Sequence, residues 1–184
     1  MATTEKPRAV FRRYPVFISL TAGVFALDQA TKLWIVHFSG LRQHVYPPFG
    51  GFEILPGFVS IVHTTNPGAA WGILEGHSWF LISVALLALI GIFLFRKEIE
   101  LEKTRMQCAF GLIAGGILGN ALDRIAYGHV VDFIDVHLQF YRWPTFNVAD
   151  SGIVVGCLLF IWFSFRAPRT TSGDNQGPGI TRDS

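Results

Sequence analysis

"MQCAFGLIAGGILGNALDRIA", residues 106 to 126, reads as one apolar helix with its polar side chains gathered toward one end. About 20 helical residues, rising 1.5 Å each, cover the roughly 30 Å of hydrocarbon in a bilayer. Gly111, Gly115 and Gly119 form two overlapping GxxxG steps, a spacing that lets another helix approach closely. Asn120, Asp123 and Arg124 follow within the same stretch. Ionisable groups at such a depth are costly unless they face a bundle interior or a wet cavity, so the segment predicts a membrane bundle with a polar site inside it.

Three more apolar segments surround this one: Tyr14 to Phe38, Ser78 to Phe95, and Ser151 to Phe165, the last expected to begin nearer Val148. The composition agrees. The chain has 184 residues, 51% of them hydrophobic and 15% charged, with a mean hydropathy of +0.41. A soluble domain carries about 25% charged residues. The net charge of +2 does not signal nucleic acid, because lysine and arginine sit at segment ends rather than along one stripe. Cys108 and Cys157 lie in apolar runs without metal-ligand spacing and read as buried thiols. Arg12 and Arg13 before the apolar run Val16 to Leu27 resemble a secretory signal, yet "LWIVHF" continues the run beyond Lys32, so an uncleaved helix is expected.

Basic residues also set the orientation. Lys6, Arg8, Arg12 and Arg13 precede the first segment, Arg96, Lys97, Lys103 and Arg105 separate the second from the third, and Arg166 and Arg169 follow the fourth. Apart from helix ends, the other two connections carry only Arg42 and Arg142. The positive-inside rule therefore predicts cytoplasmic termini and two outward connections, 39 to 77 and 127 to 147. In the first of these, "FEILPGFVSIVHT" alternates enough to suggest short strands at the membrane surface. Residues 1–166 read as one four-helix domain and 167–184 as a disordered tail. Trp71, Trp79 and Trp143 fit the aromatic belt of an interface.

Depth counting brings three acids to one level. From the cytoplasmic edge, Asp28 lies about 22 Å from Arg13, Asp123 about 27 Å from Arg105, and Asp150 about 24 Å from Arg166. Asp132 follows the third segment closely, and Asn66, Asn120 and Asn147 belong to the same level. Asp28 with Lys32, four residues on, also fits a simple helix ion pair. His129 and His137 flank Asp132 and Asp135, but without the spacing of a familiar metal motif. Asp135 shares the face of Asp132 if the stretch is helical and opposes it if extended. Two close carboxylates sharing a proton supply a general base and a general acid for peptide hydrolysis. The same acids equally fit a proton or ion path through a small transporter.

As an ordered set, "DQATK" at 28–32, "NPGAAW" at 66–71, "GGILGNALDR" at 115–124, "VVDF" at 130–133 and "FNVADS" at 146–151 resemble bacterial lipoprotein signal peptidase, signal peptidase II. The resemblance runs from about Tyr14 to Arg166. It implies an all-α membrane fold of four transmembrane helices with a small extracytoplasmic β-sheet cradle and a short mobile outer helix. It further implies an aspartic endopeptidase of the bacterial cytoplasmic membrane that uses no metal or other cofactor and is blocked by globomycin. Its partners would be membrane lipids and diacylglyceryl-modified prolipoproteins, cut just before the lipidated cysteine by a monomer. Carried onto this chain, Asp132 and Asp150 would be catalytic, and Asp28, Lys32, Asn66, Asn120, Asp123, Arg124 and Asn147 would order the site or hold substrate. Asp135 lies outside the family pattern and is expected to be a solvated or locally hydrogen-bonded neighbour whose loss leaves most activity.

Overall fold

The computed structural model describes residues 13–69, 73–138 and 140–166. Its helices are α1 (Pro15–His37), α2 (Ser78–Leu94), α3 (Thr104–Tyr127) and α4 (Val148–Phe165). Its strands are β1 (Phe52–Leu55), β2 (Val59–Asn66), β3 (Val130–Leu138) and β4 (Tyr141–Phe146). α1 opens on a proline, which suits the first helical turn because its missing N–H would find no partner there. α4 begins at Val148, as the sequence predicts. By length and composition α1, α3 and α4 can each cross a membrane, while the apolar α2 is shorter at 17 residues.

α3 is the centre of the bundle, with α1, α2 and α4 packed on it and α1 also touching α4. The close approach read from the GxxxG steps is found. A Cβ on Gly115 would stand 2.8 Å from the Thr21 carbonyl oxygen of α1, and one on Gly119 would collide with the Asp28 carboxylate. Gln107, the polar residue at the start of α3, accepts from the Val16 and Phe17 N–H groups at 3.1 and 3.2 Å. It thereby satisfies donors that the first turn of α1 leaves without intrahelical partners. Large side chains such as Leu86, Leu87 and Ile90 on α2 and Val154, Val155 and Leu158 on α4 are exposed. Such surfaces are stable against hydrocarbon and a liability against water.

The sheet is more extensive than the sequence suggests. Its order is β1-β2-β3-β4, antiparallel throughout, so the 127 to 147 connection supplies half of its strands. Val130 to Phe133 are all buried, which removes the two-residue alternation that marks a half-exposed strand. The short outer helix is not found among the described residues of the first connection, which holds turns, β1 and β2. Trp71 and the tail 167–184 lie outside the described residues.

Two junctions place the polar residues of β3 and α4 against the bundle. Gly128 caps α3 in the left-handed conformation at φ 76°, which glycine adopts without a Cβ penalty, and the chain then enters β3 directly. At the other junction Asn147 alone separates β4 from α4. Ile35, Val131 and Phe133 form the apolar contact that seats β3 on the bundle.

Candidate active site

The Asn-x-x-Asp spacing in "FNVADS" forms a reciprocal cap at the start of α4. The Asn147 side chain accepts from the Asp150 N–H at 2.9 Å, and the Asp150 carboxylate accepts from the Asn147 N–H at 3.2 Å. This local rule fixes Asp150 at the helix mouth. Asn147 is fully buried, and its Nδ2 donates to the Asp132 carboxylate at 2.7 Å, with the Val131 carbonyl and Asn120 Oδ1 each 3.2 Å away. One asparagine therefore touches both Asp132 and Asp150. Asn120 of α3 completes the link by donating to Asp150 Oδ1 at 2.7 Å.

Asp132 is 2% exposed, on β3 beyond the end of α3. Burial pushes its carboxyl up to about 7, and the charge of Asp150 adds to the rise, against hydrogen bonds from Asn147 and Asn66. The two carboxylates are thus close enough for each to feel the other's charge.

Beneath this pair lies a second cluster of different character. Lys32 Nζ makes ion pairs to Asp28 at 2.8 Å and Asp123 at 2.9 Å, and donates to Asn120 Oδ1 at 2.9 Å. All three charged side chains are buried. Asp28 also accepts from the Ala149 N–H of α4 at 2.9 Å, and Asp123 from the Val131 N–H of β3 at 3.1 Å. Asp28 and Asp123 therefore tie α1, α3, α4 and β3 to one lysine. Asn120, which touches both Lys32 and Asp150, joins the two clusters.

Arg124 points outward from α3 and binds the Gly68 carbonyl at 2.7 Å, fastening the "NPG" turn over the site. It lies within electrostatic reach of Asp150, Asp132 and Asp123. Asn66, at the end of β2, accepts from the Gly68 N–H in that turn and bonds to Asp132. All nine site residues read from the sequence thus belong to one connected network. Gln29 was not among them, although its amide contacts Asp28, Asp123 and the Gly119 carbonyl at 3.0 to 3.3 Å. Its signal was a glutamine beside Asp28 in an apolar helix.

Asp135 behaves differently from the expectation of a solvated acid. It is 3% exposed and paired with Arg142 through two bonds, at 2.7 and 2.8 Å. The locally bonded alternative describes it. His129 lies against the Tyr127 ring and His137 is exposed on the distal part of β3. Among the described residues no three His, Cys, Asp or Glu side chains are grouped as metal ligands.

The family model for signal peptidase (SPase) II matches residues 20–166, a span that includes every residue of this network. The chain belongs to the signal peptidase II family. Its similarity to the lipoprotein signal peptidase of Oleidesulfovibrio alaskensis is 38% identity over 152 residues, 80% of this chain and 92% of that one. The lipoprotein signal peptidase of Symbiobacterium thermophilum is 39% identical over 145 residues, 78% and 91% of the two chains. A bacterial membrane enzyme solved by the in meso method superposes with a TM-score of 0.73 at 32% identity, covering 90% of this chain and 95% of that one. Signal peptidase II membership makes this chain a protease, and the apolar helices with these neighbours make it a membrane protein.

Proposed function

We propose that this chain is an aspartic endopeptidase that removes signal peptides from diacylglyceryl-modified prolipoproteins, cutting just before the lipidated cysteine. The observation that carries this reading is the single buried Asn147 amide bonded to both Asp132 and Asp150. With its carboxyl raised to about 7, Asp132 carries the shared proton below that pH. Asp150, which accepts from Asn120 and the Asn147 N–H, takes a proton from water as that water attacks the scissile carbonyl carbon. Asp132 meanwhile protonates the carbonyl oxygen. The tetrahedral intermediate then collapses, its C–N bond breaking as the proton held by Asp150 passes to the leaving amine and one hydroxyl proton returns to Asp132, which restores the starting pair. Asp28, Lys32, Asn120, Asp123 and Asn147 order the site, and Asn66 and Arg124 hold the substrate backbone at its rim.

Four membrane crossings in residues 1–166 would put both termini, with residues 167–184, in the cytoplasm and the sheet outside the cytoplasmic membrane. The distribution of lysine and arginine supports this. At the outer interface water can reach the carboxylates while diacyl chains remain in hydrocarbon. The enzyme acts as a monomer in lipid, without a cofactor. The test is incubation of purified protein with a diacylated and an unmodified prolipoprotein. Release of signal peptide from the diacylated form alone is expected. Equal cleavage of both would remove the lipid requirement, and no cleavage alongside dissipation of a proton gradient in vesicles would favour the ion path.

A further inference from the structure

We infer that the Asp135–Arg142 pair is a positioning device that locks the register of β3 against β4 and so aims the Asp132 carboxylate at Asn147. This rests on the peptidase reading of that site. β3 carries Asp132, and β4 runs directly into Asn147 and then Asp150. The relative register of these two strands therefore sets where one carboxylate stands against the other.

The backbone ladder is weak where that register must be held. Between β3 and β4, Ile134 pairs with Phe146 but Val136 pairs with Trp143, so the pairing is irregular opposite Asp135. Pro144 lies in that interval and has no N–H to donate. On the other side of β3, the β2 pairing shifts between Ile61 and Thr64, with Thr64 opposite Asp132. The segment from Asp132 to Asp135 thus has a register shift on both flanks. At this gap the Asp135 carboxylate receives Arg142 Nε and Nη2 at 2.7 and 2.8 Å, a forked bond from β3 to β4. Arg142 is also held from its face, its guanidinium carbon 3.6 Å from the centre of the Tyr46 ring. A slip of one residue would move Asp132 by about 3.3 Å along the strand, enough to break its bond to Asn147.

The test compares wild type, Asp135→Asn, Asp135→Glu, Arg142→Gln and the Asp135→Asn/Arg142→Gln double variant. It measures kcat and KM per folded molecule, the pH profile, and disulfide formation between cysteines placed at the paired positions Val136 and Trp143. Against the family-pattern expectation that loss of Asp135 leaves most activity, Asp135→Asn and Arg142→Gln are each expected to lower kcat about tenfold or more with KM little changed, since small misplacements of reacting groups are costly. The double variant should be no worse than Arg142→Gln. Asp135→Glu should recover part of the rate, and the pH profile of the asparagine variant should narrow as Asp132 and Asp150 separate. Cross-linking yield should fall in Asp135→Asn. Unchanged cross-linking overturns the inference whatever the activity, and so does unchanged kcat and pH profile in folded Asp135→Asn. If wild type fails to cleave while cross-linking falls in the variant, the register role stands and the peptidase reading is what fails.

Discussion

Replacing Asn147 by alanine separates the capping function of that residue from its function at the two carboxylates. The substitution removes the side-chain cap on the Asp150 N–H, a loss of about 1 kcal/mol. It also leaves the Asp132 carboxylate without its 2.7 Å donor in a buried position, for about 1–3 kcal/mol more. Together these give about 2–4 kcal/mol, which lowers the melting temperature by roughly 10 °C in a chain of this size. Cleavage should fall about a hundredfold or more, because Asp132 loses the donor that orients its carboxylate and the turn that carries Asp150 loses its side-chain cap. Asn147→Ser is the discriminating partner. Serine caps a helix as well as asparagine but is too short to reach Asp132, so it should recover about 1 kcal/mol of stability and little activity. Thermal unfolding in detergent and single-turnover cleavage of a diacylated substrate read the two effects separately. A serine variant that cleaves at the wild-type rate would refute the linkage of the two carboxylates through Asn147, as would an alanine variant that loses stability but keeps its rate per folded molecule.

Asp132→Asn and Asp150→Asn should each abolish signal peptide release from folded, membrane-inserted protein, and the double variant should be no worse than either; activity surviving in one of them removes it from the pair. The cleavage rate should be bell-shaped in pH. Because the Asp132 carboxyl is raised to about 7, its proton is present below that pH and the rate should fall as pH rises through it, while protonation of both acids gives the low-pH limb; a flat profile through 7 speaks against Asp132 as the proton donor. Lys32→Met strands two buried carboxylates and should cost about 3–5 kcal/mol, seen as loss of folded protein on size-exclusion and thermal assays; an unchanged melting temperature would contradict the network. EDTA should leave the rate unaffected, and His129→Ala or His137→Ala should lower it only modestly, whereas activity lost to chelation and restored by zinc would point to a metal-activated water.

The level of the acids was legible because a helix rises by a constant 1.5 Å per residue, so counting from basic edges needs no tertiary knowledge. Rotation was not. Lys32 was legible as the partner of Asp28 from four-residue spacing, but its contact with Asp123 depends on how α1 turns against α3, which the glycine contacts at Gly115 and Gly119 decide. β3 escaped a pattern reading because burial of Val130 to Phe133 erases alternation, and β4 because Pro144 interrupts it. The partner of Asp135 lies across a hairpin whose irregular register no spacing rule supplies. Gln29 stood inside a recognised motif, yet a neutral amide gives no charge signal of its own.

The two acid clusters differ in one respect that bears directly on which can do chemistry. Asp28 and Asp123 are each occupied by a direct ion pair to the Lys32 ammonium. Asp132 and Asp150 have no ion-pair partner among the described residues and instead accept from neutral groups, the amides of Asn66, Asn120 and Asn147 and the Asn147 backbone N–H. Neutral donors fix the position of an oxygen without fixing its charge, so a proton can pass between these two carboxylates, water and a peptide at little electrostatic cost. Lys32 then contributes from one layer away. By satisfying Asp28 and Asp123 it lets them anchor Ala149 and Val131, the residues next to Asp150 and Asp132, without placing a cation against either working oxygen.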